Sequence, residues 1–231
     1  MALALASDPF LDKMRGHSTA ASFCKKKYMS AQIFLVAPAD ADIAAFAPIL
    51  EGALASVPVS ALFLPRGARS ENAYKDFVKA VAPIAQSEGC AVLIEGEPGW
   101  VRTLGADGLH VFGSAKALPA TREAAAALKP QMIVGAGPAA SRHDAMGLGE
   151  LDIDYVLFGP LEGALSAEAR DMASWWAQTM EVPAVLSDPQ ADGETADAAG
   201  CEFLAVGESV WKAPQGAAIA LSEIAQRLET L

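Results

Sequence analysis

Eight short apolar runs, each followed by a stretch of helical character, recur from Gln32 to the C-terminus. That alternation constrains the fold more than any other feature of the chain. Two of the runs are diagnostic: Gly105-Ala-Asp-Gly-Leu-His-Val111 and Asp152-Ile-Asp-Tyr-Val-Leu-Phe-Gly-Pro160. Each is entered through a Gly or Asp turn and leaves polar or Gly residues where the run stops. A buried parallel strand whose C-terminal end opens onto a site has this form.

Strands are expected over 32–37, 59–64, 91–95, 108–112, 132–135, 155–158, 184–187 and 203–206. Helices are expected over 41–56, 70–88, 100–104, 120–128, 141–147, 167–180, 193–199 and 215–231. Ser70 and Ser141 stand where N-caps belong, Asp144 falls in a first turn, and Gly89 suits the residue after a helix end. Pro130 blocks extension of the helix before it. Strands this short and uniformly apolar are covered on both faces. Eight such units in one run predict an α/β fold, a single (β/α)8 TIM barrel with an eight-stranded parallel sheet. A barrel also fixes where function can lie: at the C-terminal ends of the strands, on the loops that lead into the helices.

The chain has 231 residues, 52% of them hydrophobic, which suffices for one large core. With 28 acidic and 17 basic side chains it carries a net charge of -11, which argues against nucleic-acid and anionic-membrane partners. Small phosphorylated substrates remain compatible, because a few local donors can hold a phosphate on an acidic protein. Cys24, Cys90 and Cys201 are scattered, with no CxxC pair and no Cys/His cluster, so neither a zinc site nor a disulfide framework is expected. A reducing cytoplasmic location follows as the expectation. Residues 1–28 show neither helical nor strand period and end in Lys25-Lys-Lys27. They read as a disordered leader or an upstream start, with the barrel spanning 29–231; limited proteolysis that left the segment intact would refute this. The opening Met1-Ala-Leu-Ala-Leu-Ala6 lacks the layout of a signal peptide, and no later apolar stretch is long enough to span a membrane.

The ordered set of GADGLHV, SRHDAMGLGELDIDYVLFGP, VPAVLSD and CEFLAVGESVW resembles the thiamine phosphate synthase family, which shares its fold with a thiazole tautomerase. The likeness covers about residues 91–211 in order and spacing. It implies a barrel that joins hydroxymethylpyrimidine pyrophosphate to a thiazole phosphate in thiamine biosynthesis. In that chemistry Mg2+ and basic groups hold the departing pyrophosphate, and alignment with electrostatic stabilisation does most of the catalytic work.

Carried over position by position, the resemblance keeps the strand core and loses most ligands. The second strand retains one arginine, Arg66, and the third ends Glu95-Gly96-Glu97 where the family has Asn-Asp-Arg. The fourth keeps Asp107 and His110 but not the second magnesium Asp. Pro138 stands near the family's serine, and Gly159-Pro160 is followed by Leu-Glu-Gly-Ala in place of Thr-x-x-Lys. Asp188-Pro189 and Gly207-Glu208 replace the turns that would hold a phosphate. Two like charges there cost about 1–4 kcal/mol against an anion. The candidates are therefore His110 for catalysis, Arg66, Arg142, Gly135 and Gly159 for substrate binding, and Glu95 with Glu97 for magnesium. Each has a plainer reading: His110 as a satisfied buried ring, Arg66 as an ion-pair partner of Glu95 or Glu97, and Gly135-Ala-Gly137 as a flexible turn. Trp175-Trp176 reads as helix-to-barrel packing or a subunit contact, which leaves self-association open. Two functions stay in play: a divergent thiamine phosphate synthase, and a catalytically inactive barrel of that family that binds a ligand or partner. A tautomerase is the weaker third, since Ala140 stands where its base would be.

Overall fold

The computed structural model describes residues 30–113 and 117–231, so the expected leader lies outside the described residues. Eight strands form a closed parallel barrel in chain order: β1 (Gln32–Val36), β2 (Ala61–Leu64), β3 (Ala91–Ile94), β4 (Gly108–Phe112), β5 (Ile133–Gly137), β6 (Tyr155–Phe158), β7 (Ala184–Ser187) and β8 (Phe203–Val206). Phe34 of β1 stands opposite Ala61 of β2 and Ala205 of β8, which closes the ring. The helices are α1 (Ile43–Leu54), α2 (Glu71–Ser87), α3 (Pro98–Leu104), α4 (Leu118–Leu128), α5 (Arg142–Gly149), α6 (Ala167–Thr179), α7 (Glu208–Trp211) and α8 (Ala217–Glu229).

Strand alternation divides the core in two. Outward residues such as Ile33, Leu35, Leu62, Val92 and Leu204 pack under the helices, while Phe34, Phe63, Leu93, Ile133, Tyr155, Val185 and Phe203 fill the barrel. Burial on both faces is what makes the strands read as continuous apolar runs. Helix starts follow their caps: Ser70, Ser141 and Ser166 each accept an amide N–H from three residues on. Trp176 bears out the packing expected of it, lying buried against Phe158 with its indole N–H donated to the Val182 carbonyl at 2.7 Å.

One device recurs at the barrel floor. The residue immediately before each even-numbered strand ties its side chain to the preceding odd strand. Asp107 accepts the Val92 N–H at 2.7 Å, Asp154 the Val134 N–H at 2.8 Å, and Glu202 the Ala184 N–H at 2.9 Å. Ser60 donates to the Gln32 side chain at 2.5 Å in the same place. Asp107 thus serves the floor, far from the loops that carry function in such barrels.

Three expectations are corrected. No helix forms over 193–199: Asp192 Oδ1 accepts from the Glu194 and Thr195 amides and the Thr195 hydroxyl, and this local turn displaces the helix. β5 runs on to Gly137, so Gly135-Ala-Gly137 is strand and not a turn. α7, a single turn after β8, was not foreseen. Among the described residues no helix is long and apolar enough to cross a membrane.

Candidate functional site

The candidate residues fall into three local groups around the C-terminal ends of the strands. The first lies between β2 and β3. Arg66 donates its backbone N–H to Glu95 Oε2 at 2.9 Å, and its guanidinium Nε donates to the Arg69 carbonyl at 3.2 Å. The expected ion pair of Arg66 with Glu95 or Glu97 is not formed; the contact runs through the backbone. Tyr74 fixes the end of β3 by donating to the Leu64 carbonyl and accepting the Glu95 N–H. Glu97 is exposed at the N-cap position of α3, beyond Gly96, whose φ of 129° and contact with the Trp100 ring demand glycine. Among the described residues no three His, Cys, Asp or Glu side chains gather into a metal-binding group.

The second group lies inside the barrel. His110 is 2% exposed, stands opposite Gly135 in register, and is enclosed by Phe63, Phe112 and Tyr155. Its Nδ1 is 2.8 Å from the Tyr155 hydroxyl, and its Nε2 has no hydrogen-bond partner among the described residues. Burial pushes the ring's pKa down to about 4, with the Gly137 backbone acting in the opposite sense, so the imidazole is neutral at physiological pH. Burial likewise pushes the Tyr155 phenol well up. Gly135 is needed for space: a Cβ there would lie 1.9–2.4 Å from the Tyr155 ring. Phe112 and Leu161 pack onto the interior cluster from the mouth side.

The third group lines a groove of about 580 Å³ between the loops after β5 and β6. Arg142 and Gly159 face it together with Pro138, Ser166, Glu168 and Asp171. The Arg142 guanidinium sits 4.6 Å over the Trp175 ring and forms no ion pair with a described residue. Gly159 (φ 90°) passes so close to Ser187 that any Cβ would meet its carbonyl at 2.4 Å.

On the far side, β7 and β8 end in the two acids expected to repel a phosphate. Glu208 is paired with Lys212 at 2.6 Å, which holds its pKa down. Burial pushes the Asp188 carboxyl up, with hydrogen bonds to the Gln190 and Ala191 backbone and the charge of Arg170 acting in the opposite sense, and its neighbour Pro189 offers no N–H. Of the two acids expected to repel a phosphate, Glu208 is offset by Lys212.

The thiamine monophosphate synthase family matches the chain over residues 33–210. The chain belongs to that family. A thiamine-phosphate synthase of Rhodospirillum centenum is 32% identical over 203 residues, covering 83% of this chain and 95% of the relative. Another, of Hyphomonas neptunium, is 32% identical over 213 residues, covering 87% and 95%. A thiamine phosphate pyrophosphorylase structure from Pyrococcus furiosus superposes with a TM-score of 0.69 at 14% identity, over 86% of this chain and 96% of that one. At such identity the superposition establishes the fold alone. Family membership supports a role in thiamine biosynthesis.

Tyr155 is the residue that sequence reasoning missed. It passes for a core aromatic in an apolar run, yet strand alternation places both it and His110 on the inner face.

Proposed function

We propose that the chain serves thiamine biosynthesis as a barrel that binds a thiamine precursor at its mouth, without magnesium-dependent coupling. The observation that carries this reading is the Glu95 carboxylate, which is turned onto the Arg66 amide N–H. Magnesium keeps several waters and takes one or two carboxylates together with substrate phosphates. The Arg66 amide engages one oxygen of Glu95, Glu97 stands exposed on the way into α3, and among the described residues no group of three His, Cys, Asp or Glu forms around them. The donor set does not fit the ion, so no step is derived through it. Beneath the mouth the barrel is instead filled by neutral, aromatic side chains, with His110 and Phe63 buried and Phe112 partly exposed. The exposed part of Phe112 suits the face of a small heteroaromatic ring. The Arg142 groove is the part of the mouth that accepts a phosphate on that ligand, through one guanidinium held on Trp175. Buried free thiols at Cys90 and Cys201 suit the reducing cytoplasm as its location.

The second reading is an active thiamine-phosphate synthase, favoured by the 32% identity along 95% of the Rhodospirillum centenum relative. On that reading Glu95 and Glu97 hold magnesium, and Arg66 with Arg142 hold pyrophosphate.

An endpoint assay separates the two. Purified protein is mixed with hydroxymethylpyrimidine pyrophosphate, thiazole phosphate and Mg2+, beside a Glu95→Gln variant, and each substrate is tested for a thermal shift. No thiamine phosphate, with a rise in Tm from the pyrimidine compound, is the expected result. Product formed by the wild type and lost in the variant overturns the proposal in favour of the synthase.

A further inference from the structure

The geometry points to Glu95 as a positioning residue for Arg66. By accepting the Arg66 amide, Glu95 holds the arginine so that its two terminal nitrogens form a fork for a phosphate oxyanion, with no metal involved. The inference deepens the reading that the mouth binds a precursor without magnesium, and rests on it.

The β2–β3 ladder ends at the pair Leu64 and Ile94. The Arg66 N–H lies beyond the ladder, and Glu95 Oε2 supplies its acceptor at 2.9 Å. A carboxylate oxygen accepting a backbone N–H makes a charge-assisted bond, stronger than a neutral one. Glu95 is itself fixed through its backbone. Its N–H donates to the Tyr74 hydroxyl at 2.9 Å, and that hydroxyl donates to the Leu64 carbonyl at 2.6 Å. Tyr74 is buried, and burial raises its pKa, so the phenol keeps the proton that it donates.

The arginine is held along its side chain as well. Its Nε donates to the Arg69 carbonyl at 3.2 Å, and the Arg69 N–H returns to the Arg66 carbonyl at 3.3 Å. Arg69 is anchored in turn: its guanidinium lies 4.0 Å over the Phe77 ring and donates to the carbonyls of Ala39 and Ala41 in the loop after β1. The terminal nitrogens of Arg69 are therefore committed to that loop. Those of Arg66 have neither a hydrogen bond nor an ion pair with a described residue. Among the described residues His110 Nε2 is the one enclosed side-chain nitrogen or oxygen that lacks a partner, so Nη1 and Nη2 of the half-buried Arg66 are open to solvent. With Nε fixed, these two nitrogens form a planar fork that matches two oxygens of a phosphate. Glu95 needs only an acceptor oxygen for this role. Its negative charge works against an anion at the neighbouring fork, whereas a magnesium ligand needs that charge, so the two roles differ in sign.

The test is calorimetric titration of the full chain with inorganic pyrophosphate in EDTA. Wild type should bind, and Arg66→Ala should weaken binding about tenfold. Glu95→Ala should weaken it about tenfold too, and no further when Arg66 is already alanine. Glu95→Gln keeps the acceptor and removes the charge, so it should bind as tightly as wild type or more tightly. Near-UV circular dichroism checks that each variant is folded. Glu95→Met, which fills similar space without an acceptor, should match Glu95→Ala and replaces it if the alanine variant does not fold. Equal binding by wild type and Arg66→Ala, or no binding by either, overturns the fork. Full affinity without the Glu95 acceptor, additive losses in the double variant, or a loss in Glu95→Gln as large as in Glu95→Ala overturns the positioning role. Thiamine phosphate made by the wild type and lost in Glu95→Gln, while metal-free pyrophosphate binding persists in that variant, overturns the magnesium-free reading instead and leaves Glu95 as the holder of Arg66.

Discussion

Asp154 wraps both backbone groups of Val134: its Oδ2 accepts the Val134 N–H at 2.8 Å, and its own N–H donates to the Val134 carbonyl at 2.7 Å. Its second carboxylate oxygen holds Lys129 at 2.5 Å, with side-chain exposures of 9% for the lysine and 4% for the acid. The acid therefore ties β5 to the start of β6 and neutralises a buried ammonium. Asp154→Ala leaves that charge and the Val134 N–H unpaired, which should cost about 3–5 kcal/mol. Asp154→Asn keeps an acceptor for Val134 and should cost less. Urea unfolding at an unchanged m-value checks both. Ligand affinity should not move, because the floor lies at the opposite end of the barrel from the mouth.

Gly135 and Gly52 should respond oppositely to alanine. At Gly135 the new methyl would lie within 2.4 Å of the Tyr155 ring. Gly135→Ala should destabilise by about 1–3 kcal/mol or more and disturb His110 through Tyr155. Gly52 is exposed in the interior of α1 with nothing within 4 Å of a Cβ. Gly52→Ala should stabilise by roughly 0.5–1 kcal/mol through backbone entropy alone. Thermal or urea melts of the two variants, run side by side, read both signs.

These residues also show where the sequence is legible. β4, β6, β7 and β8 have the expected bounds because Asp and Gly turns delimit their apolar runs. The caps at Ser70 and Ser141 are local chemistry and were read from local sequence. The turn at Asp192 was not, since its hydrogen bonds compete with a helix that periodicity alone favours. The site was harder for a related reason. Gly135 reads as loop flexibility, yet its role depends on a tyrosine twenty residues later on the neighbouring strand. Arg66 reads as a free cation or an ion pair, yet it meets Glu95 through its amide. Such pairings are set by barrel register, which no local window contains.

Cys90 and Cys201 should be silent to thiol reagents in the native protein. Both thiols are buried, and burial pushes their pKa up, to about 12 for Cys201. The thiolate is the reactive form, so neither supplies it at neutral pH. Alkylation with iodoacetamide followed by peptide mapping should modify both only after unfolding. Modification of either in the native state would show that the barrel opens locally at the starts of β3 or β8.

The buried histidine should make stability fall as the solution is acidified. In the fold His110 has its pKa pushed down by burial from 6.5 to about 4. Above pH 6.5 the ring is neutral in both states, and its full contribution is present. Between 6.5 and 4 the unfolded chain binds a proton that the fold refuses, so stability is lost as pH falls through this window. Below about 4 both states are protonated and this group adds no further loss. The gap, 6.5 minus about 4, corresponds to ~3 kcal/mol between the two plateaus. Asp188, whose pKa burial raises, works with the opposite sign, because its fold holds a proton more tightly as acid is added. The comparison must therefore be differential. His110→Phe removes one titration and leaves Asp188 in place. Urea unfolding of wild type and variant at pH 7.5, 5.5 and 4.5 should show the wild type losing ground to the variant at each step down. Parallel curves would mean that His110 takes up its proton at the same pH in the fold as in the unfolded chain, so that burial does not depress its pKa.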